Sequence, residues 1–240
     1  AKYLNIKKKK VIVFESKNNQ DHYFYKRKLE KLGIEVYLNK PLDFKEFANQ
    51  IEEIEYVIIS PGISLQNQTI VQLKNRGVRV IGEANLGWDN LRDVNWVGIT
   101  GTNGKTTVTH LLSHILCKNN LKAPAAGNIG NPICEYACYQ NNNSKIDWLI
   151  AELSSYQIEI AKVIKPKIGI WTTFTPDHLE RHHDIETYFK IKRCLLEKSS
   201  IRIYNSDDKY LLNKRQELPE GIWVGTKTQS SYSHYPKFWI

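Results

Sequence analysis

Short apolar segments alternate with amphipathic segments along the whole chain. The apolar segments are rich in β-branched residues, which is typical of buried strands in a parallel sheet. The segments between them carry apolar residues at the spacing of one helix face. In the first part of the chain this pattern predicts strands at residues 11–16, 34–38, 55–60 and 78–82, with helices near residues 23–32, 44–51 and 68–76.

A second series of the same kind follows. It predicts strands at residues 95–100, 147–153, 167–174 and 202–205, and helices at residues 105–118, 131–139 and 185–197. This alternation predicts an α/β protein with parallel sheets and crossover helices, whose ligands bind at the carboxyl ends of the strands. We place a domain boundary near residue 92, between domains of residues 1–92 and 93–240. Residues 140–144 are polar and predict a surface loop, whereas residues 226–240 have no clear partner element.

The composition excludes several classes of protein. Hydrophobic residues make up 41% and charged residues 25%, as in ordinary folded proteins. No apolar run approaches the ~20 residues of a membrane helix, so we expect no membrane span. The 4 cysteines form no CxxC pair and follow no secretory leader, which favours free thiols in the cytoplasm. Because the chain has no Met, we expect a fragment that lacks its true N-terminus.

The net charge of +9 can indicate a polyanionic partner such as nucleic acid. Most of the lysines are scattered over predicted helices, however, and the one dense run, residues 7–10, comes directly before a strand. We therefore favour a solvated surface and a phosphate-rich small ligand over nucleic acid.

The strongest chemical motif connects the strand at residues 95–100 to the helix at residues 105–118, and it reads Gly101, Thr102, Asn103, Gly104, Lys105, Thr106, Thr107. In such a turn the backbone amides hold phosphate oxygens, Lys105 reaches the outer phosphates and the Thr106 hydroxyl can ligate Mg²⁺. The strict pattern GxxxxGK[ST] requires glycine at position 99, where this chain has Ile99. A plain glycine turn between strand and helix is the alternative.

Charged side chains lie at or directly after the carboxyl ends of two further strands. Glu152 lies where a nucleotide-bound Mg²⁺ finds its second protein ligand, with a surface or helix-capping acid as the alternative. Asp177 and His178 belong to the cluster TPDHLERH, directly after the strand at residues 167–174. Such a cluster can bind a second cation or a phosphoryl group, although a single histidine is more often structural.

Five motifs, TGTNGKTT, GNIGNP, ELSSYQIE, TPDHLERH and YNSDD, together closely resemble the Mur ligase family, which forms amide bonds with ATP in peptidoglycan precursor synthesis. The resemblance implies a Rossmann-like UDP-binding domain and a P-loop-type ATPase domain, both incomplete, and a third domain beyond residue 240. Within the family, SPGI, ELSSYQ and TPDHLERH are most similar to the monomeric enzyme that adds D-glutamate to UDP-N-acetylmuramoyl-L-alanine through an acyl phosphate.

The resemblance also implies roles for single residues. Lys105 and Thr106 would bind the ATP phosphates and a first Mg²⁺, with Glu152 as a second ligand of that ion. His178 and a carbamylated Lys192 would ligate a second Mg²⁺, which makes Lys105, His178 and Lys192 the expected catalytic residues. The UDP-linked substrate would contact Asn128, Ser154 and Gln157 and, at its uridine and diphosphate, Ser16, Lys17, Ser60, Pro61 and Gly62.

Three alternatives stay open. A sister Mur ligase or a folylpolyglutamate synthetase-like ligase would keep the ATP loop and change the amino acid. A non-catalytic module would bind a nucleotide or UDP-sugar only, although intact Lys105, Thr106, Glu152 and His178 argue against it. We expect residues 1–240 alone to form no amide product, because the resemblance places the adenine and D-glutamate pockets beyond them.

Overall fold

The structure is a computed structural model, and it describes residues 1–139, 145–226 and 238–239. Contacts divide the chain into two compact units. The first comprises Ala1–Ile59 and Ile63–Ile81, and the second comprises Ser60–Gly62 and Gly82–Ile240. The predicted surface loop at residues 140–144 lies outside the described residues.

The strands of the first unit pair two by two. β1 (Ile12–Glu15) pairs in parallel with β2 (Glu35–Leu38), and β3 (Tyr56–Ile59) pairs with β4 (Arg79–Gly82). All four strands lie where the hydrophobic pattern predicts them, but in the described residues they form two separate pairs instead of one sheet. No residue of β1 is fully buried, so this pair contributes to the core of the unit through Val36 of β2, which is 6% exposed.

The helices of this unit are α1 (Lys2–Ile6), α2 (Gln20–Glu30) and α3 (Gln68–Asn75). In place of the predicted helix near residues 44–51 the chain forms two 3₁₀-helices, Phe44–Glu46 and Ala48–Glu53. The carboxylate of Asp43 accepts the amide of Lys45, and the amide of Phe47 bonds back only to the carbonyl of Phe44, which gives this segment the tighter 3₁₀ turn.

The second unit is built on a parallel sheet, which confirms the α/β class. Its strand order is β11-β10-β9-β8-β5-β7-β6, and every pairing is parallel. The pattern does not predict β6, β10 or β11. Strand β11 pairs with β10, and the rest of the segment after residue 226, for which the sequence shows no clear partner element, lies outside the described residues. The strands are β5 (Asn95–Thr100), β6 (Ala125–Gly127), β7 (Trp148–Glu152), β8 (Ile168–Trp171), β9 (Ile201–Asn205), β10 (Ile222–Gly225) and β11 (Phe238–Trp239).

Helices connect these strands, and two of them, α5 and α9, have the predicted bounds. They are α4 (Glu83–Asn90), α5 (Lys105–Lys118), α6 (Ile133–Tyr139), α7 (Ser155–Ile160), α8 (Leu179–His182), α9 (Ile185–Glu197) and α10 (Lys209–Asn213), followed by the 3₁₀-helix Arg215–Glu217. The core lies under β5, where Ile99 and Ile150 are fully buried and α5 packs Val108, Leu112 and Leu116 against them. These three residues recur every four positions, which is one face of a helix.

The contacts of α4 explain why the second unit begins before the predicted boundary near residue 92. The carboxylate of Glu83 accepts the amide of Cys134 at 2.6 Å. A Cβ on Gly87 would lie 2.2 Å from Cγ2 of Ile133, so α4 and α6 approach closely at a residue without a side chain. In the described part of the chain, no helix is long and apolar enough to cross a membrane.

Candidate active site

The loop between β5 and α5 is a tight glycine turn. Gly104 caps α5 with a φ of 78°, and Gly101 has a φ of 153°. A Cβ on Gly101 would lie 2.0 Å from Oγ1 of Thr172, so only glycine fits there. The amide of Val108 makes the first bond of the helix, to the carbonyl of Gly104. The amides before it belong to the free N-terminus of α5, where helices bind anions.

Lys105, the first residue of α5, folds back over this turn. Its Nζ donates to the carbonyls of Gly101 and Thr102, both at 2.9 Å. The ammonium group therefore lies directly above the loop, and it would exchange these two carbonyls for the oxygens of a bound phosphate.

Glu152, at the carboxyl end of β7, is the centre of a polar cluster. It is only 1% exposed, which excludes the alternative of a surface acid. The Thr106 hydroxyl donates to its Oε2 at 2.9 Å, and Nδ2 of Asn128 donates to its Oε1 at 2.8 Å. The ends of β6 and β7 and the start of α5 thus meet on one buried carboxylate.

The spacing of these oxygens fits Mg²⁺. This ion takes octahedral oxygen ligands at about 2.0–2.1 Å, so neighbouring ligands lie about 2.9 Å apart. The distance from Oγ1 of Thr106 to Oε2 of Glu152 is 2.9 Å. The described residues contain no group of three or more His, Cys, Asp or Glu that could hold a metal. A site of two protein oxygens is nevertheless usual for Mg²⁺, which takes its remaining ligands from phosphates and water.

Lys192, on α9, lies beneath the same loop. It is 1% exposed, and its Nζ donates to the carbonyl of Gly101 at 2.8 Å and to Oγ1 of Thr100 at 3.4 Å. Burial and the nearby ammonium of Lys105 lower the pKa of Lys192 to about 7, against a smaller opposing effect of Asp177. An unmodified amine that donates to carbonyls is no ligand for Mg²⁺. Thr106 and Glu152 thus offer two neighbouring oxygens to a first cation, whereas the amine of Lys192 offers no oxygen to a second, and both cation sites stay predictions.

His178 lies on the loop before α8, in the left-handed backbone region with a φ of 52°. Its Nε2 is 3.3 Å from Oδ2 of Asp177, and its ring is 5.1 Å from the ring of Tyr156. The side chain is about half exposed, so it is accessible to a ligand. The structure thus brings Asp177 and His178 into contact, and the part of this cluster in binding a cation or a phosphoryl group stays a prediction.

The sequence reasoning missed the contacts that join α8 to α7. Nε2 of His182 is 2.9 Å from Oγ of Ser155, and both residues are 2% exposed. Arg181 forms an ion pair with Glu159 at 2.9 Å. The signal was present only in part: Ser155 and Glu159 in the motif ELSSYQIE are four residues apart, on one face of a helix, whereas their partners Arg181 and His182 in TPDHLERH are adjacent in the sequence. The two motifs are therefore packed against each other.

Ser154 and Gln157 form a capping box at the start of α7. The amide of Ser154 donates to Oε1 of Gln157 at 3.0 Å, and Oγ of Ser154 accepts the amide of Gln157 at 3.3 Å. Gln157 also lines a cavity of about 300 Å³ in the second unit, together with Pro61 and Asn128. Ser60 and Gly62 adjoin Pro61 and belong to this unit.

The predicted uridine contacts Ser16 and Lys17 lie in the first unit. The carboxylate of Glu15 accepts the amide of Lys17 at 3.0 Å and the hydroxyl of Ser16 at 3.4 Å. This turn at the end of β1 is exposed, and a substrate role for Ser16 and Lys17 stays a prediction.

A glycine turn that opens a helix, a lysine above it and a buried carboxylate on the neighbouring strand define an α/β protein that binds nucleotide phosphates. The family model described as the Mur ligase middle domain matches residues 99–235. The chain belongs to the Mur ligase family.

Named relatives agree with this family. The chain is 56% identical over its whole length to the UDP-N-acetylmuramoylalanine-D-glutamate ligase of Prochlorococcus marinus (strain MIT 9312), of which it covers 51%. It is 55% identical, again over its whole length, to the protein of the same name from strain MIT 9515, of which it covers 50%. The chain thus spans about half the length of the curated relatives it matches.

Among solved structures, a murein peptide ligase from Psychrobacter arcticus 273-4 has a TM-score of 0.57 at 13% identity. The match covers 93% of this chain and 49% of that chain. At this identity the likeness shows the fold alone.

Proposed function

We propose that the whole protein is an ATP-dependent amide ligase that adds D-glutamate to UDP-N-acetylmuramoyl-L-alanine in peptidoglycan precursor synthesis. The observation that carries the proposal is the convergence of Thr106 and Asn128 on the buried carboxylate of Glu152, beside a phosphate loop with Lys105 above it. The names of the relatives support the choice of D-glutamate over the amino acids of sister ligases.

The geometry suits phosphoryl transfer between two anions. The amides at the start of α5 would bind the ATP phosphates, and Lys105 would move from its two carbonyls to the outer phosphates. Mg²⁺ on Thr106 and Glu152 would supply further positive charge at those phosphates. In the proposed reaction the γ-phosphoryl group passes to the substrate carboxylate to give an acyl phosphate. The amine of D-glutamate then attacks the acyl carbon, and phosphate leaves.

For Lys192 we propose carbamylation. Lys192 first loses a proton to give the neutral amine. The amine then attacks CO₂: an N–C bond forms, one C=O π bond of CO₂ opens and a second proton is released, which leaves an anionic carbamate with oxygen ligands. A pKa of about 7 supports this step, because a large fraction of the amine is then neutral near pH 7. The carbamate and His178 would ligate a second cation, for which the unmodified Lys192 offers no oxygen ligand.

The UDP-linked substrate would occupy the cavity lined by Pro61, Asn128 and Gln157. A volume of about 300 Å³ lies at the lower end of the range for small-molecule sites.

We also propose that the protein is a cytoplasmic monomer. The four cysteines, Cys117, Cys134, Cys138 and Cys194, are free, which fits a reducing compartment.

The test uses the whole protein, with the sequence that flanks residues 1–240. Phosphate release is measured with ATP, Mg²⁺ and UDP-N-acetylmuramoyl-L-alanine, with D-glutamate, L-lysine, meso-diaminopimelate or no amino acid. We expect release that depends on D-glutamate, is lost in Lys105→Ala and is retained in Lys118→Ala, a matched control at the other end of α5. Release with another amino acid would indicate a sister ligase. Nucleotide binding without release under any condition would indicate a binding module.

A further inference from the structure

Residues 172–175, which directly follow β8, lie across the phosphate loop, and we call this segment the strap. The carbonyl of Thr173 accepts the amide of Thr102 at 2.8 Å, and its Oγ1 accepts the amide of Asn103 at 2.9 Å. Two amides of the glycine turn are thereby bonded to protein. Phosphate binding consequently depends on the amides at the start of α5 and on Lys105.

The hydroxyl groups of the strap and the loop complete this contact. Oγ1 of Thr172 donates to the carbonyl of Asn103 at 2.6 Å and lies 3.2 Å from the carbonyl of Thr100. Oγ1 of Thr102 donates to the carbonyl of Thr175 at 3.1 Å and accepts its amide at 3.0 Å. The conformation of the loop is therefore fixed by a neighbouring segment as well as by its own glycines.

Two side chains of the motif YNSDD hold the strap in turn. Oδ2 of Asp208 accepts the amide of Phe174 at 2.7 Å, while Oδ1 of the same side chain caps α10 by accepting the amide of Leu211 at 2.9 Å. Nδ2 of Asn205 donates to the carbonyl of Thr172 at 2.9 Å. Asn205 and Asp208 thus bond to the strap, and the strap bonds to the phosphate loop.

We propose that Asn205 and Asp208 are positioning residues for nucleotide binding, acting on the phosphate loop through the strap. A loop that is already held in its binding conformation loses less conformational freedom when the ligand arrives, so its affinity is higher. This inference rests on the proposed nucleotide site. Asn205 and Asp208 raise the affinity of that site for phosphate groups without contacting the phosphates themselves.

Two isosteric substitutions each remove one hydrogen bond to the strap and keep the other hydrogen bond of the same side chain. Asp208→Asn keeps one oxygen to cap α10 and replaces the other with an amide group, which cannot accept the amide of Phe174. Asn205→Asp keeps the oxygen that accepts the amide of Asp207 and loses the donor to Thr172. Asp43→Asn is the matched control, because Asp43 also caps a helix but lies in the first unit.

The experiment measures the dissociation constants of the whole protein for Mg²⁺-ADP and for UDP-N-acetylmuramoyl-L-alanine by calorimetry, below the unfolding temperature of every variant. We expect Asp208→Asn and Asn205→Asp each to weaken ADP binding about tenfold, the effect of one lost hydrogen bond, and to leave the UDP substrate and the Asp43→Asn control unchanged. Unchanged ADP binding in both variants, or an equal loss for both ligands, would overturn the inference. If the unmodified protein binds no ADP, the proposed function itself is wrong.

Discussion

Replacement of Gly101 with alanine should destabilise the second unit by an amount that depends on the side chain of Thr172. The new Cβ would lie 2.0 Å from Oγ1 of Thr172, so the hydroxyl must move and lose its contacts with the carbonyls of Thr100 and Asn103. Each such hydrogen bond contributes about 0.5–1.5 kcal/mol. The φ of 153°, which L-residues rarely adopt, adds about 1–3 kcal/mol. We expect a total loss of about 2–6 kcal/mol in the free energy of unfolding.

A double-mutant cycle measured by urea denaturation tests this explanation. Thr172→Ala removes the obstructing oxygen and the same two hydrogen bonds, so the loss in the double variant should fall short of the sum of the single losses by about 1–3 kcal/mol. Thr172→Ser keeps the oxygen and should give no such relief. If the losses of Gly101→Ala and Thr172→Ala add to within about 0.5 kcal/mol, the hydroxyl is not the obstacle and the reasoning is refuted.

Three further predictions concern single side chains. Asn128→Ala should raise the Mg²⁺ concentration for half-maximal activity about 10–100-fold, because Asn128 orients the carboxylate of Glu152; a Mg²⁺ titration checks this. Lys105→Ala should abolish phosphate release and change the unfolding temperature little, since its Nζ contacts only loop carbonyls. Burial raises the pKa of Glu83 above its ordinary 4.5, because the folded chain favours the neutral carboxyl group. This group therefore contributes to the free energy of unfolding below pH 4.5, and the contribution is lost as the pH rises through the raised pKa. Glu83→Gln, which keeps an acceptor for the amide of Cys134, should therefore gain stability relative to the unmodified chain between pH 4 and pH 8, as measured by urea denaturation; an unchanged difference would contradict it.

Local signals in the sequence were sufficient to predict many of the helices and strands of the second unit. Helix α9 begins after Asp184, whose side chain caps it by accepting the amide of Thr187, and α5 begins after Gly104; both starts are visible as residue types. The phosphate loop could likewise be located, because the order of strand, glycine turn and helix is local. What such signals predict is an element and its ends.

Contacts between distant segments could not be predicted in this way. Thr102 and Thr173 are far apart in the sequence, and nothing in either segment indicates that the amide of one meets the carbonyl of the other. The same holds for the burial of Lys192, which reads as an ordinary helix lysine until α9 packs beneath the loop. Strand β6 was missed because AAG is too short and too rich in small residues to show a strand pattern.

The length of α5 gives the protein a built-in position for an optical probe. The helix starts at the phosphate loop with Lys105 and has the exposed Cys117 in its last turn, about 18 Å away at 1.5 Å per residue. A dye on this thiol would lie at the opposite edge of the sheet from the nucleotide, outside the site yet within range for energy transfer to a fluorescent ATP analogue. Of the other thiols, Cys134 is buried and Cys138 and Cys194 are only partly accessible, which favours labelling at Cys117. Nucleotide arrival and release could then be followed in real time through a cysteine that residues 1–240 already contain.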